Sequence, residues 1–270
     1  MTILAFDFMR RGLLAALLVG LAAPSIGTFL VQRRLSLTGD GIGHVAFTGV
    51  GLGLLLSTSP VLTAVVVAVV GAVAIEVVRE RAHTSGDVAL ALLFYGGLAG
   101  GSILIKLAGG TSSALGGYLF GSLSSVSNSD LAVIVTLSLV VLLTIGLFLR
   151  ELFAVAQDED VARVSGLPVR FLNLLVAVGA AVTVTVAMRT VGLLLVSALM
   201  VVPVATVQTL SRSFRTTLYG ACLLGAVMSV GGLVVSYYAD VPPGGSIVML
   251  SLAAFAVAVV AASVRKRVLR

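Results

Sequence analysis

The chain of 270 residues is 59% hydrophobic and only 10% charged, with a net charge of +6. Ordinary soluble domains carry roughly a quarter charged residues, so this composition excludes a soluble globular domain and indicates a membrane protein. A single cysteine, Cys222, excludes an intrachain disulfide and a thiolate metal cluster, and no basic run interleaved with aromatics signals nucleic-acid binding.

A hydrocarbon core about 30 Å thick needs roughly 20 apolar residues in a helix. In chain order, nine segments approach that length: about 12–31, 37–56, 61–79, 88–107, 130–149, 171–188, 190–210, 216–238 and 246–264. Lipid offers the backbone no hydrogen-bond partners, so each segment is expected to be a helix. Only Arg189 divides the sixth from the seventh, which leaves eight or nine spans. The fold class expected is therefore all-α, a polytopic integral membrane protein with eight to nine transmembrane helices in one transmembrane domain over 1–270.

Charge between the segments predicts orientation. "QRR" at 32–34, "RERAH" at 79–83, the loop from Arg150 to Arg170, "SRSFR" at 211–215 and the tail "RKRVLR" hold Arg or Lys, whereas "STSP", the loop at about 108–129 and "YADVPPGGS" hold none. The positive-inside rule places the first set in the cytoplasm, with the N-terminus outside and the C-terminus inside. Arg10, Arg11 and Arg189 fit this scheme poorly and are expected to snorkel to an interface, as are Glu76 and Lys106. The outer loop is apolar at "ALGGYLFG" but too short to span, which predicts a re-entrant or surface helix. In the fourth segment Gly96 with Gly100, and Gly97 with Gly101, form overlapping small-xxx-small pairs, suited to close helix packing within one subunit or between subunits. Pro203 is expected to kink or loosen the seventh segment.

The second segment, "LTGDGIGHVAFTGVGLGLLL", carries Asp40 and His44 four residues apart and hence on one helix face, with Thr48 a turn beyond. A charge at the centre of a membrane helix costs about 2.5–3.5 kcal/mol on insertion scales, and such residues usually mark a site. Two readings stand. Asp40 caps the start of the helix, or the pair supplies a carboxylate and an imidazole to a divalent cation. One chain offers too few ligands for zinc, which takes about four, but two copies about a two-fold axis would offer two Asp and two His. His83 lies among loop charges and is read as solvated. The dispersed Met188, Met200, Met228 and Met249 are read as core packing.

The loop "RELFAVAQDEDVARVSGLPVR" predicts a short helix in which Val161 and Val164 share a face and Gly166 and Pro168 end the pattern. Docking to a partner is one use for such a helix. No GxxxxGK[ST] phosphate-binding loop occurs, so energy for active transport must come from another subunit or an ion gradient.

"RRLSLTGDGIGHVAFTGVGLGLLL", "YLFGSLSSVSNSDL", "DEDVARVSGLPVRFLNLL", "VAMRTVGLLLVSALMVVPVAT" and "SYYADVPPGGSIVML", in this order, resemble the permease subunit of bacterial ABC importers of zinc or manganese. The resemblance implies a homodimeric permease in the bacterial cytoplasmic membrane. Its implied partners are two cytoplasmic ATPase subunits, which hold the ATP, and an extracytoplasmic metal-binding protein. The family's metal-contacting residues fall on Asp40 and His44, and its ATPase-coupling helix on the segment around Ala162, Gly166, Leu167 and Pro168. Manganese-type relatives tend to carry a proline-glycine step where this chain has Thr48 and Gly49, so the resemblance leans to zinc. The alternatives are a proton-coupled secondary carrier, in which Asp40 and His44 relay protons, and an intramembrane metalloenzyme. The resemblance also raises a tension, since hydropathy puts Asp40 near the cytoplasmic end of its helix while a transport centre is expected midway.

Overall fold

The computed structural model describes residues 6–81, 86–110, 112–121 and 127–268, and every element among them is helical. In chain order these are α1 (Asp7–Gln32), α2 (Thr38–Leu55), α3 (Pro60–Arg81), α4 (Gly86–Leu107), α5 (Ser112–Phe120), α6 (Asn128–Leu147), α7 (Leu149–Gln157), α8 (Glu159–Val164), α9 (Val169–Met188), α10 (Leu193–Leu210), α11 (Phe214–Ala239) and α12 (Pro243–Val268). Seven of them, α1, α3, α4, α6, α9, α11 and α12, are long and apolar enough to cross a membrane. The apolar part of α10 is shorter, and α2 is diluted by glycine, Asp40 and His44.

Each of the nine apolar segments in the sequence corresponds to one helix. The sixth and seventh are separate: α9 ends at Met188, and a turn closed by Gly192 at φ +91° starts α10. The helix runs unbroken through Pro203. His83 lies outside the described residues.

Burial sorts the helices. The spanning windows of α1 and α9 are 72% and 61% buried, those of α4 and α12 only 17%. The outward sides of the peripheral helices are apolar, with Leu92, Tyr95 and Ile103 on α4 and Val257 on α12 exposed. Such surfaces are stable only against lipid or another protein. At the centre, α2 is enclosed by α3, α4, α9 and α10. Its glycines permit this enclosure: a Cβ on Gly49 would lie 2.6 Å from Ala64 Cα, and one on Gly53 2.8 Å from Pro60 Cα. Helices in lipid gain mainly from such close backbone approach.

The loop arginines gather at one end of the bundle. There Phe214 of α11 contacts Phe29 of α1 and Phe153 of α7, with ring centroids 5.4 and 4.6 Å apart. At the opposite end, the arginines that fit poorly with the charge rule have partners. Arg189 pairs with Asp130 at 3.4 Å and lies 5.3 Å over the Tyr118 ring, Arg11 donates to Asn128 Oδ1 at 3.2 Å, and Arg10 is 3.8 Å from Asp7. Pairing reduces the charge each presents at that end.

Candidate functional site

α2 begins inside the bundle rather than at its rim. Gly39 of α2 and Gly27 of α1 both face Met200, so the first turn of α2 lies more than a turn inside the basic end of α1. The residue opposite Asp40, Ser197, stands about 20 Å along α10 from that end at 1.5 Å per residue. Asp40 is thus in the first turn of its helix and yet deep in the molecule. The second helix therefore begins deeper than hydropathy alone suggests.

Asp40 does not cap α2. The N-cap position is Leu37, with no side-chain capping bond, and the carboxylate instead accepts a hydrogen bond from Ser197 Oγ on α10. One turn on, His44 is 3% exposed, its ring edge-on to Phe94 of α4 with centroids 4.0 Å apart. Its Nδ1 is buried without a hydrogen-bond partner. A buried polar atom without a partner needs a reason, and a ligand or ion that it binds is one. Thr48, the next residue on this face, donates to the Gly97 carbonyl at 2.8 Å and ties α2 to α4.

The four α4 glycines divide by face. A Cβ on Gly97 would lie 2.5 Å from the His44 carbonyl carbon and oxygen, and one on Gly101 2.4 Å from Phe47 Cδ1, so this pair abuts α2. Gly100 makes only ordinary contact with Thr48, and Gly96 faces open space. The approach of α4 to α2 beside His44 and Phe47 is therefore set by Gly97 and Gly101.

Among the described residues no three His, Cys, Asp or Glu side chains converge as a metal-binding group. One chain contributes a carboxylate, an imidazole and a nearby serine hydroxyl. Ser197 and Phe94 escaped the sequence reading because neither breaks the apolar pattern of its own helix.

At the basic end, α8 is held by charge. Glu159 pairs with Arg33, whose side chain is 7% exposed, lies 3.5 Å from Arg79, and accepts from Asn173 Nδ2 at 3.3 Å. Arg79 also meets Glu76 at 2.7 Å, so Glu76 is paired rather than simply snorkelling. Burial, and then the charge of Arg79, hold the Arg33 guanidinium below its usual pKa, opposed by Glu159 and Glu76. Glu76, Arg79, Glu159 and Asn173 border an open cleft of about 760 Å³ between α3, α8 and α9.

Ala162, Gly166, Leu167 and Pro168 end α8 in a defined way. Gly166 has φ +82° and its N–H donates to Arg163 O, while Leu167 N–H donates to Ala162 O. This is the Schellman arrangement, for which a residue without Cβ is best suited at the left-handed position. Ala162 is 2% exposed and faces the core. The outward face of α8 is Val161 and Val164, the latter 90% exposed. Asp158 fixes the other end by accepting from the Asp160 and Val161 amides.

Residues 5–262 match the family described as the ABC 3 transport family. The chain belongs to that family. ABC 3 membership makes it a multi-pass membrane permease of a bacterial ABC transporter, in accord with its seven spanning helices. It is 33% identical over 256 residues to the manganese transport system membrane protein MntC of Halalkalibacterium halodurans, a match covering 95% of this chain and 88% of that protein. It is 27% identical to the high-affinity zinc uptake system membrane protein ZnuB of Haemophilus influenzae, covering 91% and 94%. Among solved structures, PsaBC from Streptococcus pneumoniae in complex with Fab superposes with a TM-score of 0.87 at 30% identity, covering 95% of this chain and 92% of that one.

Proposed function

We propose that this ABC 3 permease imports a divalent transition-metal cation, with Asp40 and His44 of two copies forming the transient cargo site. The observation that carries the reading is the buried His44 Nδ1 without a partner, one turn from a carboxylate deep in the bundle. Two copies about a two-fold axis would supply two oxygens and two nitrogens, a set suited to tetrahedral zinc. A second reading, manganese, is favoured by the name of the 33% identical relative.

In this reading α2 and α10 complete nine spans, and the arginine-rich end faces the cytoplasm. The Val161 and Val164 face of α8 docks on an ATPase subunit, one for each permease copy. An extracytoplasmic metal-binding protein delivers the cation at the opposite end. ATP binding must then favour one permease state over another energetically, and α8 is the element through which the ATPase would do so.

The test is metal uptake into liposomes containing the permease, its ATPase and its binding protein, with zinc and manganese assayed separately. Wild type is expected to take up at least one of them, and Asp40→Ala to lose that uptake while the ATPase still co-purifies. Undiminished uptake by Asp40→Ala would refute the cargo site. Uptake by the permease without any ATPase would favour the secondary-carrier alternative.

A further inference from the structure

Serine and threonine in apolar helices usually satisfy their hydroxyls on a carbonyl three or four residues back in the same helix. Thr28, Thr183, Thr185, Thr206 and Ser251 all do so here. Ser197 is also buried, at 8% exposure, but its hydroxyl crosses from α10 to α2 and donates to Asp40 Oδ1. Nothing in α10 requires this choice, since a back-bond to its own helix is as available to Ser197 as to Thr206. The hydroxyl serves the carboxylate.

A carboxylate has two oxygens and can hold a cation through one or both. With Oδ1 engaged by the serine O–H, Asp40 presents Oδ2 as its remaining oxygen. The serine bond takes one lone pair of Oδ1 and so biases the carboxylate toward coordination through Oδ2 alone. With one imidazole nitrogen from His44, each chain then contributes one oxygen and one nitrogen. That donor count suits a four-coordinate ion, whereas an ion that favours six oxygen-rich ligands gains more from a second carboxylate oxygen.

We propose that Ser197 is a specificity-determining residue of the cargo site, which biases Asp40 toward one donor oxygen and thereby shifts selection toward zinc and away from manganese. The proposal rests on the reading of Asp40 and His44 as the cargo site. It applies whichever metal is the natural cargo, because it concerns the ratio of the two affinities.

The experiment is equilibrium binding of zinc and of manganese to the purified full-length permease dimer, without the binding protein, for wild type, Ser197→Ala, Ser197→Thr and Asp40→Ala. Freed of its serine bond, Asp40 chelates more readily. Ser197→Ala is therefore expected to raise the manganese-to-zinc affinity ratio about ten-fold, equivalent to about 1.4 kcal/mol. Ser197→Thr keeps a hydroxyl at the same position and is expected to retain the wild-type ratio, which a merely structural effect of the substitution would not explain. An unchanged ratio in Ser197→Ala, or the same shift in Ser197→Thr, overturns the role assigned to Ser197 and leaves the cargo site standing. Metal binding unchanged in Asp40→Ala overturns the cargo site itself, and this inference with it.

Discussion

Gly97→Ala tests whether the approach of α4 to α2 determines the site. In an exposed helix interior, Gly→Ala stabilises by about 1 kcal/mol through backbone entropy alone. Here the new Cβ would lie 2.5 Å from the His44 carbonyl carbon and oxygen and 2.8 Å from Val45 N. All three are backbone atoms that cannot rotate away, so the two helices must part by about 1 Å to reach normal contact. Overpacking of this kind costs about 1–3 kcal/mol, and loss of the Thr48 bond to the Gly97 carbonyl adds about 1 kcal/mol. Set against the propensity gain, the net expectation is a loss of about 2 kcal/mol. The assay is thermal unfolding in detergent, followed with a thiol-reactive fluorophore on Cys222, since the chain has one cysteine and no tryptophan. Gly96→Ala, whose Cβ meets nothing within 4 Å, is the control and should melt at or slightly above wild type. A Gly97→Ala protein as stable as wild type, or equal losses in both variants, would refute the argument.

The α8 segment supports two further predictions. Glu159→Gln removes the counter-charge of the buried Arg33. Breaking a fully buried pair costs about 3–5 kcal/mol, but Glu159 is 36% exposed, so a loss of about 2 kcal/mol is expected, read as a lower melting temperature. Unchanged melting would mean that Arg79 and Asn173 are not held through Glu159. Val164→Asp places a charge on an outward position that touches no core, so stability should stay within about 0.5 kcal/mol of wild type. Co-purification of the ATPase should be lost, and its retention would show that docking lies elsewhere.

Much of the fold is legible in the sequence because spanning helices announce themselves by length and apolarity. Even the boundary between α9 and α10 is marked, by Arg189 and Gly192. The start of α1 is less so: it begins at Asp7 rather than near residue 12, because Arg10 and Arg11 find partners in Asp7 and Asn128. Asp40 and His44 stand out by being polar where polarity is costly. What hydropathy does not encode is the partner across the bundle. Ser197 lies 157 residues from Asp40, and Glu159 lies 126 from Arg33. Nor could the spacing of Gly96, Gly97, Gly100 and Gly101 say which pair faces α2, since adjacent residues on one helix differ only in direction.

The position of Asp40 in the first turn of α2 also bears on how a transporter lets go. The amide dipoles of a helix sum to a partial positive charge at its N-terminus, which stabilises a nearby carboxylate by about 0.3–1 kcal/mol, and by up to about 2 when partly buried. That field favours the bare carboxylate and opposes the arriving cation. It therefore makes the vacated site less unfavourable than an aspartate at mid-helix would be, and weakens the hold on the ion. In the cargo-site reading proposed above, the first turn of α2 shortens the residence of the ion several-fold, at about 1.4 kcal/mol for each factor of ten in affinity. A resident metal cofactor would be poorly served by such a site, but cargo that must be released on every cycle is well served.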